Sequence, residues 1–191
     1  MKVGLFFGSF NPIHHGHLII GQYMLDQAKL DEVWFVVSPQ NPLKKGKDIM
    51  DADHRLNMVK LAIKGNDKFK AEDVEFDMPT PSYSAYTLNK LKEKHPKIEF
   101  QLILGTDNLQ HLEKWKDHEE ILMEYEILSY FREGFPGGEF AKNQKVKDAL
   151  LKSVDLLKAG NYDKIIDTMM AASKVGVESD LGLDYIENFE S

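Results

Sequence analysis

The chain has no cysteine, which excludes disulfides, thiolate metal sites and cysteine nucleophiles. Arginine is nearly absent as well: Arg55 and Arg132 are the two present. No apolar run approaches the roughly 20 residues that a membrane-crossing helix needs. Positive charge is in deficit, with 24 Lys and Arg against 31 Asp and Glu and a formal net charge of −7. That balance argues against broad nucleic-acid binding, which normally shows a basic surface. Neither nucleic acid nor membrane is therefore an expected partner. Small phosphorylated ligands remain open, because they need a local positive pocket and salt screens distant charge within about 10 Å. The first apolar stretch runs straight into Gly and Pro, unlike a secretory leader, so a cytoplasmic location is the default expectation.

What is present fits one folded domain. At 191 residues, with 42% hydrophobic and 29% charged side chains, the composition is that of a globule. A chain of this size can bury roughly 70% of its unfolded surface. Lys2–Phe7 reads as a buried strand and His17–Ala28 as a helix. Glu32–Val37 is a second strand, and Asp53–Ile63 places Leu56, Val59 and Ile63 at helical spacing. Lys70–Phe76 reads as a weaker third strand, followed by a helix from about Ser84 to Lys94 that Pro96 ends. Phe100–Leu104 and Glu126–Phe131 complete five strands, with amphipathic Glu119–Met123 between them.

Alternating strands and helices predict an α/β, Rossmann-like open sheet, mostly parallel, with helices on both faces. After the Gly/Pro turn at Gly134–Gly138 the pattern changes. Helical stretches near Val146–Leu157 and Asp163–Ala172 lead to a short tail helix at Leu183–Phe189. The expectation is a core over 1–138 and a helical C-terminal section over 139–191 of the same domain.

Ligands of open α/β sheets bind beyond the carboxyl ends of the strands. The chemically unusual segments fall there. Gly8-Ser9-Phe10-Asn11-Pro12-Ile13-His14-His15-Gly16-His17 follows the first strand, and Pro39-Gln40-Asn41-Pro42-Leu43-Lys44-Lys45 the second. Pro79–Ser84 follows the third, Gly105-Thr106-Asp107 the fourth, and Arg132 the fifth. Gly8 permits close approach of backbone to a ligand, and the helix start near His17 favours an anion. His14 and His17 can point at one phosphate, and their N–H groups can stabilise developing phosphate charge. A His-x-x-His metal pair is a rival reading, although no third ligand of obvious spacing stands beyond His15. Other rivals are a solvated turn for Lys44–Lys47, packing for Tyr83, a helix N-cap for Asp107 and core or surface filling for Trp115. Arg55 on that basis belongs to a helix face.

The first segment resembles the Gly-Ser/Thr-Phe-Asp/Asn-Pro-x-His-x-Gly-His motif of the nucleotidyltransferase superfamily. The other segments are similar to those of bacterial nicotinate-nucleotide adenylyltransferases, over Met1 to about Gly138. The resemblance implies adenylyl transfer from ATP to nicotinate mononucleotide, with ATP and that mononucleotide as partners and Mg²⁺ accompanying the ATP. No protein metal site is implied, and self-association into a homo-oligomer is left open. His14 and His17 inherit the catalytic role at the ATP phosphates. Gly8, Ser9 and Phe10 would touch nucleotide through backbone groups, and Lys44 and Arg132 would supply positive charge to phosphate. Tyr83 and Ser84, in a Pro-Ser-Tyr-Ser stretch, would lie beside the nicotinate. Gly105 and Asp107 would meet a ribose, and Trp115, followed by Lys116, would stack on the pyridine ring.

The family's Ile-Ser-Ser/Thr-x-x-Arg stretch near the C-terminus has no counterpart, since no arginine follows Arg132. Lys152, Lys158 and Lys174 remain as point charges without the planar fork. That departure keeps two other readings in view. One is a nucleotide-binding protein with impaired catalysis; the other is an adenylyltransferase for another phosphorylated acceptor, such as phosphopantetheine.

Overall fold

The computed structural model describes residues 1–40, 49–132, 134–135, 137–142 and 146. Lys44, Lys152, Lys158, Lys174 and nearly all of the expected helical C-terminal section lie outside them.

Five parallel strands form one sheet in the order β3-β2-β1-β4-β5. They are β1 (Lys2–Gly8), β2 (Glu32–Val37), β3 (Phe69–Glu72), β4 (Glu99–Gly105) and β5 (Glu126–Tyr130). Because successive side chains of a strand point to opposite faces, each central strand feeds two cores. Val3 and Leu5 of β1, Trp34 and Val36 of β2, and Phe100, Leu102 and Leu104 of β4 belong to one core. Phe6, Val33, Phe35, Val37 and Ile103 belong to the other. These continuous apolar runs are what a sheet covered on both faces requires. Helix α1 (His15–Gln27) covers one face with Met24 and Leu25, and α2 (Ala52–Ala62) adds Leu56 and Val59. Ala85, Leu88 and Leu91 of α3 (Ser84–Lys94) and Ile121 of α5 (His118–Glu124) cover the other. Among the described residues no helix is long and apolar enough to cross a membrane.

The strand order reverses direction at β1, which lies between β2 and β4. A crevice opens at such a reversal, beyond the strands' carboxyl ends, because the chain leaves neighbouring strands toward opposite faces. Gly8 ends β1 and Gly105 ends β4 at that crevice. A short helix, α4 (Thr106–Leu109), begins directly after Gly105.

Two expectations need correction. The third strand does not reach Phe76. Its ladder with β2 pairs Phe69 with Val33 and stops at Glu72 opposite Val36, one residue before β2 itself ends. Among the described residues β3 is an edge strand with β2 as its one neighbour, and Val74–Asp77, beyond that ladder, closes into a 3₁₀ turn. The second concerns Arg55. It stands on α2 but is 1% exposed, with its guanidinium donating to backbone carbonyls rather than facing solvent.

Candidate functional site

The first helix begins at His15, two residues earlier than the apolar spacing suggests, so His17 stands in its first turn. That turn aligns the two imidazoles. Their ring centroids lie 3.8 Å apart with planes 31° from parallel. The backbone N–H of His14 donates to His17 Nδ1 at 3.3 Å, which leaves the neutral ring's own proton on Nε2. The ring of Phe10 meets His17 edge-on at 5.2 Å and is itself wedged against Phe6 and Phe35. Phe10 is 2% exposed and has φ of 44°, so its side chain is core while its backbone edges the crevice. Its ring also fills the space over Gly8, where a Cβ would come within 2.8 Å of it. Small Gly8 and buried Phe10 are thus one packing unit beneath the imidazoles.

A cavity of about 410 Å³ opens at these rings, lined by Gly8, Ser9, Phe10, His14, His17, Asp107 and Arg132. Arg132 is held from two sides. Its backbone N–H donates to the buried Thr106 hydroxyl at 2.8 Å, and its Nε lies 3.6 Å from Asp107 Oδ2. Among the described residues Asp107 Oδ1 is buried without a hydrogen-bond partner, an acceptor suited to a ligand hydroxyl. Asp107 does not cap α4; Gly105 holds that position. Burial pushes the Tyr130 phenol above its usual range, with the Arg132 hydrogen bond pulling the other way.

A second cavity, of about 380 Å³, continues from the first and has a different chemistry. Tyr83, Ser84, Gly105, Trp115 and Lys116 line it, so the aromatic and hydroxyl residues expected beside a pyridine are together. Trp115 serves two purposes: it lines this cavity and also packs partly against the core. Among the described residues its Nε1 is buried without a hydrogen-bond partner. Lys116 is exposed at the rim, its Nζ 4.6 Å above the ring of Tyr86 and 5.3 Å above that of Tyr83. The hydrogen bond with Tyr86 is the main cause that raises the Lys116 pKa.

Several lining residues carry no signal in the sequence reading. Glu75 is 2% exposed in the 3₁₀ turn after β3. Its carboxylate accepts from the Ser82 hydroxyl at 2.6 Å and from the Thr87 hydroxyl at 2.8 Å. It thereby ties the loop before α3 to the helix's first turn and fixes where Tyr83 and Ser84 sit. An acidic residue inside an apparently alternating strand was the available clue. Asn108 and Tyr130 line both cavities, and Lys114 and Ser38 the second.

Partial burial, then the charges of His15 and Arg132, hold the His14 imidazole below its ordinary 6.5. In the free protein, stability linked to this ring is present above pH 6.5 and is lost as pH falls below it, because the unfolded chain binds the proton more readily. An anion beside His14 opposes those causes, so binding a triphosphate takes up protons. Calorimetric titration of ATP in two buffers of different ionisation enthalpy is expected to register that uptake, reduced in His14→Asn. Equal uptake by both proteins would show that the bound anion does not reach His14.

All the expected site residues except Lys44 therefore line one of two adjoining cavities at the switch point. The fold has known counterparts. The Plasmodium falciparum nicotinic acid mononucleotide adenylyltransferase complexed with NaAD superposes with a TM-score of 0.63 at 21% identity, over 78% of this chain and 71% of that one. A Vibrio parahaemolyticus structure described as a nicotinate-nucleotide adenylyltransferase gives 0.57 at 22% identity, over 69% of this chain and 74% of that one. In sequence, residues 5–174 match the cytidylyltransferase-like family. A Cytophaga hutchinsonii protein named "Probable nicotinate-nucleotide adenylyltransferase" is 53% identical over 132 residues, 69% of each chain. A Bacteroides thetaiotaomicron protein of the same name is 48% identical over 139 residues, 73% of this chain and 69% of its own. The chain belongs to the cytidylyltransferase-like family and, within it, to the nicotinate-nucleotide adenylyltransferases.

Proposed function

We propose that the two joined cavities divide one reaction between them: transfer of the adenylyl group of ATP to nicotinate mononucleotide, giving deamido-NAD and pyrophosphate. The observation that carries this assignment is the shared wall. Phe6, Phe7, Gly8, Ser9, Asn108 and Tyr130 line both cavities, so a triphosphate in one and a mononucleotide in the other meet across Gly8 and Ser9.

An ionised phosphate oxygen of the mononucleotide attacks the α-phosphorus of ATP. One P–O bond forms, the bond to the β-phosphate bridging oxygen breaks, and that oxygen leaves as part of pyrophosphate. The attacking oxygen needs no protein base at neutral pH. What the protein contributes is alignment and charge stabilisation. His17 Nε2–H and His14 serve the phosphates, with Arg132 and Lys44 adding positive charge. Trp115 and Tyr83 offer aromatic faces to the pyridine, and Asp107 Oδ1 an acceptor to a ribose hydroxyl. At the N-terminus of α3, Ser84 begins a turn whose free N–H groups suit the nicotinate carboxylate.

Among the described residues no three His, Asp or Glu side chains are grouped as a metal cage. The donors at the imidazole cavity suit anions, so the residues fit a Mg²⁺ ion that arrives on the nucleotide rather than one resident in the protein. Such an ion supplies neutralisation of phosphate charge. We place the reaction in the cytoplasm.

The test is pyrophosphate release by the purified chain, with magnesium and ATP, over three acceptors: nicotinate mononucleotide, its amide counterpart and phosphopantetheine. The acid is expected to give the highest kcat/KM, by tenfold or more on the order of one charge-assisted hydrogen bond. Release with phosphopantetheine alone would change the acceptor, and ATP binding without release would leave a nucleotide-binding protein.

A further inference from the structure

The guanidinium of Arg55 is buried and belongs to the lining of neither cavity. It nevertheless joins three chain segments. Nη1 donates to the carbonyls of Ser9 and, at 2.9 Å, of Ser38. Nη2 donates to Pro39 O at 2.9 Å and Nε to Met50 O at 2.8 Å. Those carbonyls belong to the exits of β1 and β2 and the entry to α2. Two further bonds tie the same segments together: Ser38 N–H to Gly8 O at 2.9 Å, and Met50 N–H to Asn11 Oδ1 at 3.1 Å. A buried cation surrounded by carbonyl dipoles is costly to assemble and strongly specifies their arrangement.

The direction of one peptide unit follows. The bond between Ser9 and Phe10 is not among the cis bonds, so its C=O and N–H point in opposite senses. With the carbonyl held by Arg55, the Phe10 N–H points away from the guanidinium, and Ser9 and Phe10 both line the imidazole cavity. Phe10 adopts φ of 44°, a left-handed conformation that is unfavourable for an L residue. The loop holds it because the carbonyl on its other side is captured.

We propose that Arg55 is a positioning residue for adenylyl transfer: without touching substrate, it aims the Phe10 N–H at the transferring phosphate. The proposal rests on the assignment of phosphates to the imidazole cavity. A lysine at position 55 keeps the positive charge but is a point charge that cannot span four carbonyls in one plane. Arg55→Lys is therefore expected to lower kcat by about 10²-fold, the scale of an ångström of misplacement. Arg55 also holds Ser9 and Ser38 of the second cavity through their carbonyls. Tyr83, Ser84 and Trp115 are not among its hydrogen-bond partners, so KM for the mononucleotide should stay within about threefold, roughly 0.6 kcal/mol.

Parent, Arg55→Lys and Arg55→Gln are compared by steady-state pyrophosphate release, with circular dichroism confirming the fold at assay temperature. The parent's best acceptor serves as the reference, so a parent without turnover sinks the assigned reaction, and a comparison between active proteins judges Arg55 alone. A fall in kcat with KM held, in whichever variant is folded, supports the role. A folded variant with kcat within threefold of the parent overturns it, as does a loss that merely follows the folded fraction. If both variants are unfolded, Arg55 is structural and the positioning role is overturned.

Discussion

Replacing His17 with alanine is expected to lower kcat for pyrophosphate release by about 10²–10³-fold, the usual effect of losing one preorganised donor to developing charge. The geometry explains why the loss should fall on kcat. His17 Nδ1 accepts the His14 N–H, which fixes the ring's orientation before substrate arrives and leaves Nε2 as its donor atom. Alanine removes the donor while leaving the cavity's other groups, among them Arg132 and Asp107, in place. Stability should change little, because His17 is part-exposed and its aromatic neighbours Phe6 and Phe10 remain packed on Phe35. Urea unfolding beside steady-state kinetics separates the two quantities. Turnover near that of the parent, in a folded variant, would remove His17 from the chemistry.

The sequence carried the fold where one signal sufficed. Glu32–Val37 and Ser84–Lys94 are bounded as apolar pattern and Pro96 suggest, because a central strand and an amphipathic helix each declare their partners by period. The limits of β3 were not legible, since they depend on how far this edge strand pairs with β2 rather than on anything in Lys70–Phe76. The site was legible where residues sit on a strand's carboxyl end: Gly8, Gly105, Asp107 and Arg132 all reach the crevice. Arg55 and Glu75 were not. Each is a charged side chain whose burial is made tolerable by groups distant in sequence, Ser9 lying 46 positions from Arg55 and Thr87 12 from Glu75. Periodicity cannot announce such partners, because the matching groups are backbone carbonyls and ordinary hydroxyls.

The second large effect concerns Gly105, and it follows from space rather than from backbone freedom. Gly105 has φ of −72°, which any residue adopts, so alanine is not excluded by conformation. Its Cβ would lie 2.3 Å from Asp107 Oδ1, 2.9 Å from Arg132 Cδ and 3.1 Å from the Tyr130 ring. Three groups at the imidazole cavity would have to move together, and the Asp107–Arg132 pair at 3.6 Å would be disturbed. Gly105→Ala should lower kcat/KM by about 10²-fold through that displacement. Overpacking of this kind typically costs 1–3 kcal/mol of stability as well, about the same range for any crowded glycine. Gly21→Ala supplies the comparison. There a Cβ would meet the Phe35 ring at 2.9 Å, in the core under α1 and one ring removed from Phe6 and Phe10 of the imidazole cavity. It should lose comparable stability with a much smaller loss of kcat/KM per folded molecule. If Gly105→Ala keeps its kcat/KM while losing stability, Asp107 and Arg132 do not contact the reacting groups. If both variants lose activity alike, crowding acts through the whole sheet and the crevice has no special dependence on this glycine.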